Sequence, residues 1–294
     1  MKKVEKGVVY MSLKQSVVLF EQPHLTNENK YDPFIVTDIL ADYSGKQKIP
    51  IIHFWTMTNQ LILGMQDTRV TDLSNAISSV KTNHYHPVVR NSGGLAVVAD
   101  DGILNFSIIL PQEFTNQTSI NHGYETMKTI ISSALSSFNT TVDSFEVTDS
   151  YCPGEYDLSI NEKKFAGIAQ RRIKKGLGIM IYISVNGQQE KRGNLVKQFY
   201  QAGLKEHFGK DPFPPVNPDS MKNLSDLLCQ DLTVEKMKTL IVEAISQDWS
   251  FDDTAQKHFN QFLTSEDFKE AYDKGYHRME QRNEGINTIL KEIN

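Results

Sequence analysis

The 294-residue chain has a net charge of −5 and 39% hydrophobic residues, which argues against a general nucleic-acid binder and suffices for one large domain or a domain with an appendage. No apolar run approaches the roughly 18 residues that a membrane helix needs, so neither nucleic acid nor membrane is expected as a partner. Cys152 and Cys229 form no disulfide framework, and the start of the chain has only short, broken apolar runs and no small-residue cleavage site. A cytoplasmic protein with reduced thiols is the expectation.

In chain order, residues 1–30 are polar and weakly patterned and read as a surface leader. Pro33 near a helix start and apolar spacing at Phe34, Ile35, Ile39 and Leu40 predict a helix over 31–41. Strands follow at 51–55 and 60–65, with Thr58-Asn59 as a hairpin turn, then a helix over 71–80 with Leu73, Ile77 and Val80 on one face. Residues 86–110 read as a strand, a glycine turn, a strand over 95–99, an Asp101-Gly102 turn and a third strand. Residues 120–138 form an amphipathic helix and 143–149 a strand.

The stretch from Asp149 to Val185 organises the rest. Cys152 sits beside a Pro-Gly turn, ahead of a strand over 156–160, a turn at Asn161-Glu162 and the pair Lys163-Lys164. The segment 165–170 is small and apolar, so a ligand can lie close against its backbone. A basic turn over 171–175 leads into a buried strand over 179–185. Helices follow at 195–208, 223–228 and 233–246, interrupted by a proline-rich connection over 211–218. The tail over 251–294 is charged and helical, with Phe259, Phe262, Phe268 and Tyr272 as packing residues. Strands and helices alternate without strict βαβ periodicity, so the fold class is α+β, with mixed, largely antiparallel sheets and flanking helices.

Two side chains carry candidate chemistry. A lone cysteine is ordinarily a small buried hydrophobe, but Cys152 stands on a turn, whereas Cys229 ends a helix and fits the ordinary reading. A thiol needs a nearby cation to become a working thiolate near neutral pH. Lys163 and Lys164 alternate across a strand, so one is solvated while the other enters the sheet. Lys164 is the candidate cation and proton shuttle, against the alternative of two surface lysines. Arg90-Asn-Ser-Gly-Gly94 offers backbone N–H groups to an oxyanion, or is an ordinary turn. His84 and His86 share a strand face but have no further metal ligands in sight. Arg171 to Lys175 is either a solvated turn or a docking patch for an acidic protein.

These motifs resemble those of the lipoate–protein ligase/octanoyltransferase family, which is related to biotin protein ligases. Arg90-Asn91-Ser92-Gly93-Gly94, followed by Leu104-Asn105-Phe106-Ser107, is similar to the family's arginine–glycine turn. Lys164-Phe165-Ala166-Gly167, continuing as Ile168-Ala169-Gln170-Arg171, is similar to its lysine motif, and Leu63-Gly64-Met65-Gln66 fits an early strand end. The resemblance implies a catalytic domain over 31–248, between the leader and a helical extension over 249–294. It also implies substrate contacts from Arg90, Ser92, Gly93, Gly94, Gly167, Ile168 and Ala169. Val89 stands where the family has a first arginine, Leu95 where ligases have a third glycine, and the ligase histidine is missing after the lysine motif. These departures weigh against adenylation.

Cys152 before Pro-Gly-Glu-Tyr-Asp-Leu resembles the family branch that moves octanoyl between protein lysines. There the cysteine holds the acyl group as a thioester and the motif lysine assists. For this chain the resemblance implies octanoylated glycine cleavage H protein as donor, lipoyl domains of 2-oxoacid dehydrogenase subunits as acceptors, and no cofactor. The alternatives are an octanoyl-(acyl carrier protein) transferase, an ATP-dependent lipoate ligase, and a non-catalytic lipoyl-domain-binding protein.

Overall fold

The computed structural model describes residues 15–114, 120–210 and 212–293. Strand β1 (Gln15–Glu21) leads to helix α1 (Asp32–Gln47), which opens with Pro33 in its first turn and ends at Lys48 in the left-handed region. Then come β2 (Ile51–Trp55), β3 (Gln60–Leu63), α2 (Leu73–Thr82), β4 (His86–Val89), β5 (Val97–Ala99) and β6 (Ile103–Pro111). Helix α3 (Ile120–Ala134) precedes β7 (Asp143–Ser144), β8 (Asp157–Ile160), β9 (Lys163–Ile173) and β10 (Gly176–Ser184). The rest is α4 (Gln189–Leu204), α5 (Leu224–Leu228), α6 (Val234–Ile245), β11 (Trp249–Phe251), α7 (Asp253–Leu263) and α8 (Glu266–Glu292).

The strands form two sheets. The larger has the order β11-β1-β2-β6-β10-β9-β8-β7, and the smaller β4-β3-β5. Parallel pairs are confined to β11-β1-β2 and β3-β4, and the remaining pairs are antiparallel. The α+β reading stands, but three local expectations change. Residues 15–21 are a sheet strand with Val17 and Val18 buried, so that part of the expected leader is core; residues 1–14 lie outside the described residues. Both expected hairpins, at Thr58-Asn59 and Asp101-Gly102, are instead crossings between sheets, since β2 and β6 belong to the larger and β3 and β5 to the smaller. Turn chemistry reports a change of direction, not which partner the next strand finds. Of the expected strand over 143–149, only Asp143–Ser144 pairs.

The larger sheet has two unlike faces. Leu104, Phe106 and Ile108 of β6 and Ile179, Ile181 and Ile183 of β10 face a core closed by Met127 and Ile131 of α3 and Met237 and Ile241 of α6. The alternate residues of the same strands, Asn105, Ser107, Met180 and Tyr182, face the other way, because side chains alternate along a strand. Above that second face lie α1 and the smaller sheet. The smaller sheet is itself covered by α2 and α4 on one side and by α1 and α8 on the other. The space left between the layers is the site.

Candidate active site

Cross-strand register sets the cavity floor. Trp55, Asn105, Tyr182, Gly167 and Asp157 stand side by side on five successive strands, and Ser107, Met180 and Ala169 form the next row. Gly167 and Ala169 are small, which opens space above β9; a Cβ on Gly167 would lie 2.9 Å from the Tyr182 ring. The result is a cavity of about 320 Å³, at the small end of ligand pockets. Phe34, Trp55, Ile62 and Val97 make one wall apolar, with the Phe34 and Trp55 rings edge to face at 6.2 Å. Asn91, Asp38 and Arg171 make another wall polar: Asn91 Nδ2 donates to Asp38 Oδ2 (3.1 Å), and Arg171 pairs with Asp38 Oδ1 (2.7 Å). Burial pushes the Asp38 carboxyl above its ordinary value, against the charge of Arg171.

Cys152 borders this cavity with its backbone in the left-handed region (φ 47°), a strained setting for a residue other than glycine. Two contacts hold it there. The Leu95 N–H donates to Sγ at 3.1 Å, and Arg90 Nη2 approaches Sγ at 4.0 Å. Arg90 also binds its own loop, donating to the Gly93 and Leu95 carbonyls, each 2.8 Å from Nη2. The two glycines are not equivalent. Gly94 has φ +90° and a Cβ there would lie 2.6 Å from Arg90 Nη2 and 3.1 Å from Cys152 Sγ, whereas a Cβ on Gly93 meets nothing within 4 Å.

Of the alternating pair, Lys164 is the one that enters the sheet and is 1% exposed; Lys163 turns outward to the Asp219 carbonyl. The Lys164 ammonium does not stand in open space beside the thiol. Nζ donates to the carbonyls of Tyr151 and Cys152 (both 2.9 Å) and to Ser150 Oγ (3.0 Å), and pairs with Asp157 Oδ1 at 2.9 Å. It therefore fastens the cysteine's turn from below. Asp157 lines the cavity and also accepts from the Val147 and Gly154 N–H groups (both 3.2 Å). Burial pushes its carboxyl above the ordinary value, opposed first by the Lys164 charge. Burial also holds the Tyr182 phenol well above its ordinary value, so it stays neutral.

Arg90, Ser92, Gly93, Gly94, Gly167, Ile168 and Ala169 all border the same cavity as Cys152. Sequence reasoning missed Asp157, Tyr182 and Asn105. Asn105 is 7% exposed, and its Nδ2 has no hydrogen-bond partner among the described residues. A signal was present, since Asn105 and Ser107 are polar residues inside a strand otherwise made of apolar ones. A further layer lies behind the Leu95 loop. Tyr200 donates to Asp67 (2.7 Å) and accepts from Ala96 N–H (3.4 Å), and burial pushes the Asp67 carboxyl up to about 6.

His84 precedes β4 with φ 62°, so it does not share a strand face with His86. Among the described residues no group of three His, Cys, Asp or Glu could hold a metal ion. The basic turn narrows to Lys174-Lys175, because β9 runs on to Ile173, and Lys174 pairs with Asp42 of α1. Among the described residues no helix is long and apolar enough to cross a membrane.

The profile of the lipoyl protein ligase A/B catalytic domain matches residues 29–246. The chain belongs to that family. It is 41% identical over 205 residues to a Geobacillus kaustophilus protein named octanoyl-(GcvH):protein N-octanoyltransferase, covering 69% of this chain and 72% of that one. It is 42% identical over 202 residues to a Listeria monocytogenes protein named lipoyl-(GcvH):protein N-lipoyltransferase, covering 68% and 72%. Among solved structures, a lipoate-protein ligase A bound with ATP superposes with a TM-score of 0.61 at 19% identity, over 85% of this chain and 94% of that one. At that identity the likeness speaks for the family's fold. It agrees with the two-sheet architecture around the cavity.

Proposed function

We propose that this chain is an acyltransferase of protein lipoylation. It takes an octanoyl group from the lysine of octanoylated glycine cleavage H protein and passes it to lysines on lipoyl domains of 2-oxoacid dehydrogenase subunits, through a thioester on Cys152. The observation that carries the reading is the Cys152 thiol, on a strained turn at the wall of a partly apolar cavity, with an N–H donor 3.1 Å from its sulfur. The relatives' names supply the acyl group and the donor.

In the first step the Cys152 thiolate adds to the carbonyl carbon of the donor's lysyl amide. The tetrahedral intermediate collapses by breaking the C–N bond, and the leaving amine takes up a proton. In the second step the neutral amine of an acceptor lysine adds to the thioester carbonyl. The C–S bond breaks, the thiolate returns and the new ammonium gives up a proton. One amide is exchanged for another, so no ATP is consumed. The thiolate divides the transfer into two easier additions.

Lys164 and Asp157 work as a pair in this scheme. The ammonium holds the Tyr151 and Cys152 carbonyls, and Asp157 connects it to the cavity as the path for the proton. The Asn105 Nδ2, without a partner among the described residues, would meet the acyl carbonyl, the one hydrogen-bond acceptor of an octanoyl group. Phe34, Trp55, Ile62 and Val97 enclose the hydrocarbon.

The test is intact mass spectrometry of the protein mixed with octanoylated H protein in the absence of ATP. The expected result is one octanoyl adduct on Cys152, removed by hydroxylamine and absent in Cys152→Ser. An adduct formed only from octanoyl-acyl carrier protein would change the donor. Acceptor labelling that requires ATP and free acid, and survives loss of Cys152, would make the chain a ligase.

A further inference from the structure

Strand β4 is an outer strand of the smaller sheet, bonded along one side to β3. An outer strand leaves N–H and C=O groups unpaired on its free side, which is costly where that side is buried. Val89, its last residue, is fully buried, and its free side is occupied by one side chain from the far end of the sequence. The Val89 N–H donates to Asn283 Oδ1 at 2.7 Å, and Asn283 Nδ2 donates to the Val89 carbonyl at 3.0 Å. The same Nδ2 donates to the Met279 carbonyl one turn back in α8 (2.9 Å). A carboxamide presents a donor and an acceptor side by side, so Asn283 does for Val89 what a neighbouring peptide unit would do.

The residue after Val89 is Arg90. Its backbone N–H donates to the Leu63 carbonyl (2.9 Å), and its guanidinium shapes the loop that sets the Leu95 N–H against Cys152 Sγ. A continuous set of bonds thus runs from α8 to the thiol. The helix does not depend on Asn283 to stay docked. Met279 and Ile286 are buried, Tyr272 donates to Asp32 (2.5 Å), and Asn287 donates to the Tyr31 hydroxyl (3.2 Å). Gly275 lies so close to α1 that a Cβ there would meet Ile35 at 2.6 Å.

We infer that Asn283 is a positioning residue for the thiol: it locks the end of β4 so that the Arg90 loop holds its donor on Cys152. This gives the C-terminal helix a part in the chemistry although it touches neither sulfur nor cavity floor. The inference rests on the reading of Cys152 as the nucleophile, but its first test does not. Alkylation by iodoacetamide at neutral pH is followed at Cys152 and, in the same molecule, at Cys229 as reference, which is exposed and not the small buried hydrophobe its place at a helix end suggests.

In Asn283→Leu the ratio of Cys152 to Cys229 alkylation rates changes by about tenfold, less than the roughly hundredfold that misplacing a reacting group by a full ~1 Å costs. With octanoylated donor, kcat falls by a similar factor while KM stays within about twofold. Asn283→Ser brings no charge into the buried position and keeps a hydroxyl that can donate or accept but not bridge both Val89 groups, so it gives an intermediate ratio. Ile286→Ala lowers the melting temperature through lost packing and leaves the ratio unchanged. An unchanged ratio in folded Asn283→Leu and Asn283→Ser overturns the inference. Absence of any octanoyl adduct in the wild type, with the ratio still shifted in the variants, sinks the thioester reading and leaves the positioning intact.

Discussion

Removal of the Lys164 ammonium is the perturbation with the largest consequence. Its side chain is 0% and that of Asp157 2% exposed, and the pair is joined at 2.9 Å. Lys164→Met keeps much of the volume but leaves a buried carboxylate without its cation and takes the donor from the Tyr151 and Cys152 carbonyls. Breaking a buried pair by removing one partner costs about 3–5 kcal/mol, a large share of a typical domain's stability. For a chain of this size that lowers the melting temperature by roughly 10 °C.

The sign with pH follows from Asp157. Burial already raises its carboxyl in the folded state, and the charge of Lys164 is the leading opposition. Without that charge the folded carboxyl is raised further. The neutral acid is then the favoured buried form, and the stability tied to it is present at low pH and lost as pH rises through the folded value. The deficit of Lys164→Met against wild type therefore grows as pH rises and shrinks as pH falls. Lys164→Met with Asp157→Asn regains most of the stability, yet neither variant turns over, since the turn holding Cys152 is unfastened in both. Urea unfolding at pH 7.5 and pH 5.0, with octanoyl transfer measured alongside, tests this. A single variant within about 1 kcal/mol of wild type at pH 7.5 would refute the reasoning, since that is the scale of an exposed pair.

Gly94→Ala is expected to cut transfer at least tenfold, because the new Cβ enters the space of Arg90 Nη2 and Cys152 Sγ at a positive φ, while Gly93→Ala stays near wild type. Equal kinetics for the two variants would show that the loop does not position the thiol. Asn105→Ala is expected to lower kcat by roughly a hundredfold, as loss of one oxyanion donor does, with little change in melting temperature. An unchanged kcat would remove Asn105 from the reaction. His53 is fully buried, stacked on Phe20 and bonded to Gln22, and burial pushes its imidazole down to about 3 from an ordinary 6.5. Its contribution is present above pH 6.5 and lost as pH falls towards 3, about 2–3 kcal/mol of it by pH 4.5. His53→Gln should lose less stability than wild type between pH 7.5 and 4.5 in urea titrations, and identical losses would contradict the assignment.

Much of the site was legible because its parts are short and local. A thiol on a Pro-Gly turn, a lysine one strand later and a glycine pair after an arginine are each spelled by adjacent residues, and alternation along β9 was enough to put Lys163 and Lys164 on opposite faces, while the structure decided that Lys164 is the inward one. Asn105, Asp157 and Tyr182 were given no role, because nothing in the neighbours of each says that it faces the cavity, even where, as for Asn105, a polar residue interrupts an apolar strand. They acquire meaning only when register places them in one row across the sheet.

By itself, then, the sequence determined most of the helices and strands, which side chains could carry acyl transfer and which family they resemble. Periodicity, turn residues and motif spacing are properties of neighbours in the chain. Only the tertiary structure decided that 15–21 is a sheet strand, that two tight turns cross between sheets, and that Lys164 binds the carbonyls beneath the cysteine. It also decided that Asn283 closes the edge of a strand 194 residues away. These are pairings between distant segments, selected by burial and hydrogen-bond satisfaction across the whole fold, and no local window of residues contains them.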